Sequence, residues 1–340
     1  MPAGTTVPWE ERDEEPAAFL ARDRARGFSV LRPPLLRFTA LGTRLVVTHH
    51  HLLLDGWSLP LLVRELFALY GGAELPEPVP YRAYPAWLAG RDRAASTAVW
   101  REELAGLPGP TLLAPPRRTP DGHAEHELVL DESVTAALTA AARRRGLTLN
   151  TVVQGLWALL LREFTGRDDI VFGATVSTRP VDLPGAESMI GLFINTLPVR
   201  VRVDPLTPLA ELLSSVQARQ IALAGHADAG LADLTRAAGV DELFDTVLAF
   251  ENYPMDSATE AGGLRLAGAD LVLHSHYPLS IAVFPGSALR LRFSYRTGAF
   301  TADALAVLTG RLARLAALAA EDLDRPAASS PWSPRRTGAR

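Results

Sequence analysis

The sequence contains no cysteine, and every one of its 34 basic residues is an arginine. Disulfides, thiolate metal sites and cysteine nucleophiles are therefore excluded. The lack of lysine also excludes Schiff-base catalysis and lysine-based phosphate loops. No apolar run reaches the roughly 18 residues of a membrane span, and the first residues lack the basic and apolar regions of a signal peptide. We therefore expect a cytoplasmic protein with no membrane partner.

The composition predicts a folded protein with more than one core. The chain has 340 residues, of which 48% are hydrophobic, and this length is too great for one small core. The formal charge of −4 is spread along the chain, so no nucleic acid partner is expected. Strand-like and helix-like runs alternate, which predicts an α/β fold with two lobes, each a mixed sheet layered with helices.

Proline-rich segments and periodicity divide the chain. The segment 108–120 is the best lobe boundary, so we predict a first lobe at 1–112, a second lobe at 113–326 and a disordered tail at 327–340. Residues up to Glu15 are charged and predict a surface segment. The spacing of apolar residues predicts a helix over 16–26, strands over 35–40 and 44–50, and a helical stretch that ends near Leu107.

Most of the polar chemistry lies between Thr48 and Ser58. Three histidines, His49-His50-His51, end a strand-like run, and Asp55-Gly56 follows as a turn. Strand side chains alternate between faces, so His49 and His51 should share one face and His50 the other. A helix should begin after Gly56, with Ser58 as its N-cap, and end at Gly71-Gly72.

A histidine at a strand end can accept a proton near neutral pH, because its ordinary pKa is about 6.5. No serine lies in a Gly-x-Ser-x-Gly elbow, so a covalent acyl-enzyme is poorly supported. The simplest hypothesis is a base that helps a nucleophile of one substrate attack an acyl group of another. Asp55 would orient the histidine or lock the turn through an arginine. Two alternatives stay open: a structural histidine, and a metal site formed by His49, His51 and Asp55.

The run His50–Gly56 resembles the His-His-x-x-x-Asp-Gly signature of condensation domains of nonribosomal peptide synthetases. Four more regions are similar to that family in the same order: Tyr81–Leu88, with Ala83 where the family usually has Asp; Val176–Pro180; Met189–Thr196; and Leu243–Asp245 with Glu251–Pro254. The continuation Trp57-Ser58-Leu59-Pro60 differs from the Val-Ser-Trp-Arg that epimerisation domains usually carry. The resemblance therefore favours condensation.

The resemblance implies a pseudo-dimer of two chloramphenicol-acetyltransferase-like lobes, with the motif midway along a tunnel between them. Peptidyl and aminoacyl carrier domains, and an adenylation domain of the same assembly line, would be its partners. The chain itself would bind no cofactor, since the phosphopantetheine arms belong to the carriers. The roles implied are catalytic for His51, supporting for His50, structural for Asp55 beside Gly56, and supporting along the tunnel for Trp57, Ser58, Arg179 and Asn195, with Arg179 as the expected partner of Asp55.

The chain departs from the family at its front. Family members carry roughly a hundred residues before the segment that resembles residues 1–26 here, which is about the length of a small domain. The Ser-x-x-Gln-x-x-Leu-Trp and Arg-His-x-x-Leu-Arg-Thr segments are absent from this sequence. The first lobe is therefore expected to be incomplete. Two other functions stay open: a non-catalytic remnant that docks carriers, and a stand-alone acyltransferase that uses coenzyme A thioesters.

Overall fold

The structure is a computed structural model and describes residues 5–115, 122–252, 260–272 and 275–327. The chain divides into two compact units. The first comprises Met1–Trp87, Arg179–Phe193 and Tyr253–Ala269, and the second comprises Leu88–Thr178, Ile194–Asn252 and Asp270–Arg340. Each unit thus combines segments that are distant in sequence. The division at residue 112 stays a prediction.

Helices and strands are interleaved along the described residues. In chain order the elements are β1 (Trp9–Arg12), α1 (Pro16–Arg26), β2 (Leu36–Leu41), β3 (Arg44–His49), α2 (Ser58–Tyr70), α3 (Ala83–Ala89), α4 (Arg93–Leu104), β4 (His123–Leu130), α5 (Glu132–Arg144), α6 (Leu149–Thr165), β5 (Asp169–Ser177), β6 (Ile194–Arg202), α7 (Leu209–Leu223), α8 (Leu231–Ala237), β7 (Thr246–Phe250), β8 (Glu260–Ala261), β9 (Leu264–Arg265), β10 (Leu279–Phe284), β11 (Leu289–Arg296) and α9 (Ala302–Glu321). None of the helices within these ranges has the length and apolar character needed to cross a membrane.

The first unit contains a three-stranded mixed sheet. Its strand order is β1-β2-β3, with β1 parallel to β2 and β2 antiparallel to β3. Alternate side chains of β2 are buried, as expected of a strand with one face against a core. The segment before Glu15, predicted to lie at the surface, has mostly exposed side chains in β1 and adds an edge strand that pairs with β2. This pairing joins residues about 29 positions apart, which short-range periodicity does not reveal.

The second unit is built on a six-stranded mixed sheet of order β4-β11-β10-β7-β5-β6. Its main core lies where α5, α6, α7 and α9 pack on the sheet. Helix α6 begins at the N-cap Thr148 and ends at Gly166, a left-handed C-cap. Every residue from Thr151 to Leu161 is buried, so α6 is the central helix of this core, as its apolar sequence predicts.

The structure differs from two predictions, one for the helical stretch before Leu107 and one for Ala327. The single helical stretch expected to end near Leu107 is two helices, α3 and α4. The break occurs because Asp92 accepts a hydrogen bond from the Ala95 amide and starts α4 as an N-cap. Ala327, which the prediction placed in a disordered tail, is bonded to the second unit, since its amide donates to the Thr207 carbonyl at 2.9 Å. The rest of the tail, 328–340, lies outside the described residues.

Candidate active site

The histidine triplet lies at the end of β3, in the first unit. His49 is the last strand residue and pairs with Leu36, and the His50 amide donates to the Leu35 carbonyl at 2.9 Å. The chain then turns, with the Leu53 amide donating to the His50 carbonyl at 3.0 Å. The strand therefore ends at His49, one residue earlier than predicted, and the alternation expected of the three side chains stays a prediction.

The three histidines have different surroundings. His49 is half-buried, and this burial lowers the pKa of its imidazole, with smaller contributions from its neighbours. Its Nδ1 lies 3.4 Å from the His50 carbonyl oxygen. The Nδ1 of His50 accepts a hydrogen bond of 3.1 Å from the Leu52 amide. The side chain of His51 is exposed, and the described part of the chain offers it no hydrogen bond. His51 is the histidine that is open to an external group.

Asp55 is the centre of a buried hydrogen-bond network, with only 3% of its surface exposed. One carboxylate oxygen accepts from the Ser58 amide at 2.8 Å and from the Ser58 hydroxyl at 2.7 Å. The other accepts from the Phe193 amide at 3.0 Å. The Asp55 amide donates to the Gly191 carbonyl at 3.2 Å. Asp55 thus joins the turn, the start of α2 and the segment 191–193.

Ser58 is the first residue of α2 rather than its N-cap, which corrects the prediction. Trp57 occupies the N-cap position without a side-chain hydrogen bond to the helix. The Asp55 carboxylate instead receives the Ser58 amide, as a capping side chain three residues earlier does. The Ser58 hydroxyl is fully buried, lies 2.8 Å from the Gly191 carbonyl and accepts the Gly191 amide at 3.0 Å. Ser58 therefore anchors Gly191 to the start of the helix.

Arg179 also lies beside Asp55. Its Nη2 is 3.5 Å from the second carboxylate oxygen of Asp55, a long ion pair with both side chains buried. Its Nη1 donates to the Ala186 carbonyl and, at 2.8 Å, to the Met189 carbonyl. Burial lowers the pKa of the Arg179 guanidinium, whereas the Asp55 charge opposes that shift. Arg179 therefore contacts the carbonyls of the segment 186–189 more closely than the Asp55 carboxylate.

An aromatic group completes this part of the first unit. The Arg179 guanidinium lies 3.9 Å from the centre of the Phe193 ring. Tyr81 meets the same ring edge-on at 5.3 Å and donates its hydroxyl to the Leu192 carbonyl at 2.6 Å. Burial raises the pKa of the Tyr81 phenol. A methyl group on Gly191 would lie 2.1 Å from that tyrosine ring, so this position requires glycine.

The other predicted residues, Gly56, Trp57 and Asn195, have different surroundings. Gly56 is half-buried between Asp55 and the helix. Trp57 is 41% exposed and its indole donates to the Glu187 carbonyl at 3.4 Å. Asn195 belongs to the second unit, where its amide nitrogen donates to the Ala227 and Ala229 carbonyls at 2.8 and 2.7 Å. Asn195 therefore fixes the loop between α7 and α8.

The metal alternative has no geometric support. No three histidine, aspartate or glutamate side chains in the described ranges cluster as a metal site would require. His49, His51 and Asp55 accordingly do not form a ligand set. The buried carboxylate of Asp55 is taken up by Ser58 and Phe193 instead.

A second buried network, which was not predicted from the sequence, supports β3. Asp23 of α1 forms a 2.6 Å ion pair with Arg37 of β2 and accepts the Thr48 hydroxyl at 2.7 Å. Burial works to raise the pKa of Asp23, but the hydrogen bonds and the charge of Arg37 outweigh it and lower that pKa. A sequence signal for this network exists: Asp23 lies in the predicted helix over 16–26, and Arg37 and Thr48 lie in the two predicted strands that follow. Arg37 and Thr48 pair directly across those strands.

A family model described as Condensation domain matches residues 6–335. The chain belongs to the condensation-domain family. This condensation domain is 40% identical over 314 residues to chondramide synthase cmdD of Chondromyces crocatus, covering 85% of this chain and 8% of that synthase. It is 34% identical over 325 residues to bacitracin synthase 3 of Bacillus licheniformis, covering 89% of this chain and 5% of that synthase. The condensation domain thus spans less than a tenth of each of these two relatives.

Solved structures of low sequence identity share the fold of this condensation domain. The X-domain from teicoplanin biosynthesis matches with a TM-score of 0.81 at 24% identity, over 96% of this chain and 81% of that chain. The first condensation domain of the calcium-dependent antibiotic synthetase, in complex with a substrate analogue, matches with a TM-score of 0.74 at 22% identity, over 95% and 77%. The predicted chloramphenicol-acetyltransferase-like α/β fold class, with mixed sheets layered with helices, is confirmed.

Proposed function

We propose that this condensation domain joins a carrier-bound acyl or peptidyl thioester to the amine of a second, carrier-bound aminoacyl group in nonribosomal peptide biosynthesis. Condensation domains are amide-forming acyltransferases, and the relatives are peptide synthetases. The observation that carries the proposal is the exposed His51, which lies two residues beyond the end of β3 and has no hydrogen bond in the described ranges. Such a side chain is free to meet a substrate.

In the proposed reaction, the amine nitrogen attacks the thioester carbonyl carbon. The new C–N bond forms, the C–S bond breaks, and the sulfur of the phosphopantetheine arm leaves as a thiolate, which then receives from His51 the proton that the nitrogen has lost. His51 accepts the proton that the attacking nitrogen loses. Base catalysis of this kind contributes about 10² to 10⁴-fold, whereas holding two tethered reactants together contributes more. A free α-amine titrates near 7.7 to 8.0, so about a tenth of it is already neutral at pH 7.

In this proposal the other site residues position parts of the chain and do not transfer protons. Asp55 has its two oxygens occupied by Ser58, Phe193 and Arg179, so it is a positioning residue in this proposal. Arg179 supports the same carboxylate and the carbonyls behind it. Asn195 has a positioning role of its own in the second unit, through the loop carbonyls of Ala227 and Ala229.

The proposed partners are peptidyl and aminoacyl carrier domains and an adenylation domain of the same assembly line. The phosphopantetheine arms of the carriers bring both substrates, and the chain needs no cofactor of its own for the transfer. The large size of the relatives supports this proposal, because each synthase is more than ten times longer than the matched segment. The cytoplasmic location stays a prediction.

A single-turnover assay with two loaded carriers tests the function. We expect His51→Ala to lower the rate of amide formation by 10² to 10⁴-fold, and His123→Ala, a change at an exposed histidine of β4, to leave it unchanged. Wild-type rates in the His51→Ala protein would refute the base. Product only from coenzyme A thioesters would indicate the acyltransferase alternative, and carrier binding without product would indicate the docking alternative.

A further inference from the structure

Two neighbouring histidines before His51 are held in opposite tautomers. A backbone amide can only donate, so the Leu52 amide at 3.1 Å requires that the Nδ1 of His50 carry no proton. The neutral His50 ring must then carry its proton on Nε2. A carbonyl can only accept, so the His49 Nδ1 at 3.4 Å from the His50 carbonyl must carry a proton.

The hydrogen bond at His50 has the pattern of an Asx turn. In that turn an asparagine or aspartate oxygen accepts the amide two residues later, and the Nδ1 of His50 accepts the amide of Leu52 in the same way. The same residue closes the turn a second time, because its carbonyl accepts the Leu53 amide at 3.0 Å. His50 therefore accepts hydrogen bonds from both residues that follow His51, from Leu52 at its ring and from Leu53 at its carbonyl.

The position of His51 depends on this turn. Its ring is exposed and has no hydrogen bond with the described residues, so its direction follows from the backbone of residues 50–53. That backbone is fixed on one side by the His50 amide on Leu35 and on the other by the Asp55 amide on Gly191. Between these anchors, the bond from Leu52 to the His50 ring is the side-chain contact nearest to His51.

We propose that His50 is a positioning residue for amide formation, acting as a neutral imidazole whose unprotonated Nδ1 holds the Leu52 amide and so orients His51. This inference rests on the proposed function for its kinetic consequence, but the tautomer itself is independent of it. Because the acceptor atom is what matters, the role belongs to one ring nitrogen and not to the histidine side chain as a whole.

Three substitutions of His50 distinguish the contribution of Nδ1 from that of Nε2. In His50→Asn, the side-chain oxygen occupies the place of Nδ1 and can accept the Leu52 amide as an Asx turn. In His50→Gln, the polar atoms occupy the place of Nε2, and His50→Leu removes both. We expect His50→Asn to keep kcat within about threefold of wild type. The other two should lower kcat about tenfold, which corresponds to about 1.4 kcal/mol, with KM unchanged. A His50→Asn protein as slow as His50→Leu would overturn the proposal.

Nuclear magnetic resonance of ¹⁵N-histidine-labelled protein reads the tautomer directly. The His50 signals are assigned by their loss in the His50→Asn spectrum. We expect one ring nitrogen, Nε2, to carry a proton and Nδ1 to carry none at a pH where the ring is neutral. A protonated Nδ1 in the neutral ring would overturn the proposal even if every variant folds poorly. If His51→Ala kept full activity, the proposed base would fail while this spectrum would still decide the state of His50.

Discussion

The substitution Asp55→Asn tests the buried network most directly, because it preserves shape and removes one acceptor. Both carboxylate oxygens face backbone amides, that of Ser58 at 2.8 Å and that of Phe193 at 3.0 Å. An asparagine must turn its NH₂ group towards one of them, where two donors then meet. The buried Arg179 also loses its counter-charge, although at 3.5 Å that contact is long.

The expected cost follows from these contacts. A hydrogen bond to a charged group is worth about 1.5 to 3 kcal/mol, and breaking a buried ion pair on one side costs about 3 to 5 kcal/mol. The long Arg179 contact reduces the second figure, so we expect Asp55→Asn to destabilise this region by about 3 kcal/mol. At 1.4 kcal/mol per tenfold, the amides that Asp55 receives should exchange with solvent roughly a hundredfold faster.

Hydrogen exchange measured by mass spectrometry reports the protection of individual segments, so it can locate the destabilised region within the chain. Peptides that cover 52–60 and 189–195 should lose protection, whereas a peptide from α6 should keep its own. The matched control is Asp131→Asn, because Asp131 is exposed and makes no side-chain cap hydrogen bond to α5. Unchanged protection of both Asp55-bound peptides would show that the carboxylate does not hold these segments together.

Three further outcomes are expected. Gly191→Ala should lower the free energy of unfolding, measured by urea titration, by about 1 to 3 kcal/mol, because the new methyl group would lie 2.1 Å from the Tyr81 ring. The control Gly225→Ala should change that free energy little, since its new methyl group meets no atom within 4 Å. The pKa of His49 is lowered in the folded state, so its contribution to stability should be full above about pH 6.5 and be lost as the pH falls through the folded pKa. The unfolding free energy of His49→Gln should lack that part of the pH dependence. If the unfolding free energies of His49→Gln and wild type changed with pH in parallel, the burial argument would be contradicted. Asp23→Asn should cost about 3 to 5 kcal/mol, since it leaves a buried arginine unpaired, and a thermal melt indistinguishable from wild type would refute the role of this ion pair.

The elements that were predicted well are those with local signals. Helix α1 has Pro16 in its first turn and Gly27 at its C-cap, and α6 has Thr148 and Gly166 at its ends, so caps and periodicity mark both. Strand β1 was missed because its partner β2 is supplied by a distant part of the chain. Edge pairing of this kind leaves little trace in a four-residue pattern.

The candidate site was also predicted only where its signals are local. Its motif is contiguous, so the sequence itself identifies the histidines and Asp55. The strand was expected to continue through His50, but the His50 ring and carbonyl form a turn by accepting two amides, and alternation says nothing of such side-chain bonds. The contact of Ser58 with Gly191 joins residues 133 positions apart, which no local spacing encodes.

The segment Arg179–Phe193 belongs to the first unit, although the chain on both sides of it belongs to the second. This arrangement constrains the exchange of segments between related condensation domains. An exchange of residues 1–87 alone would pair a new Asp55 and Ser58 with the old Gly191 and Phe193. The exchangeable block is therefore discontinuous, and a chimera that preserves this network must carry 179–193 from the same parent as the histidine motif.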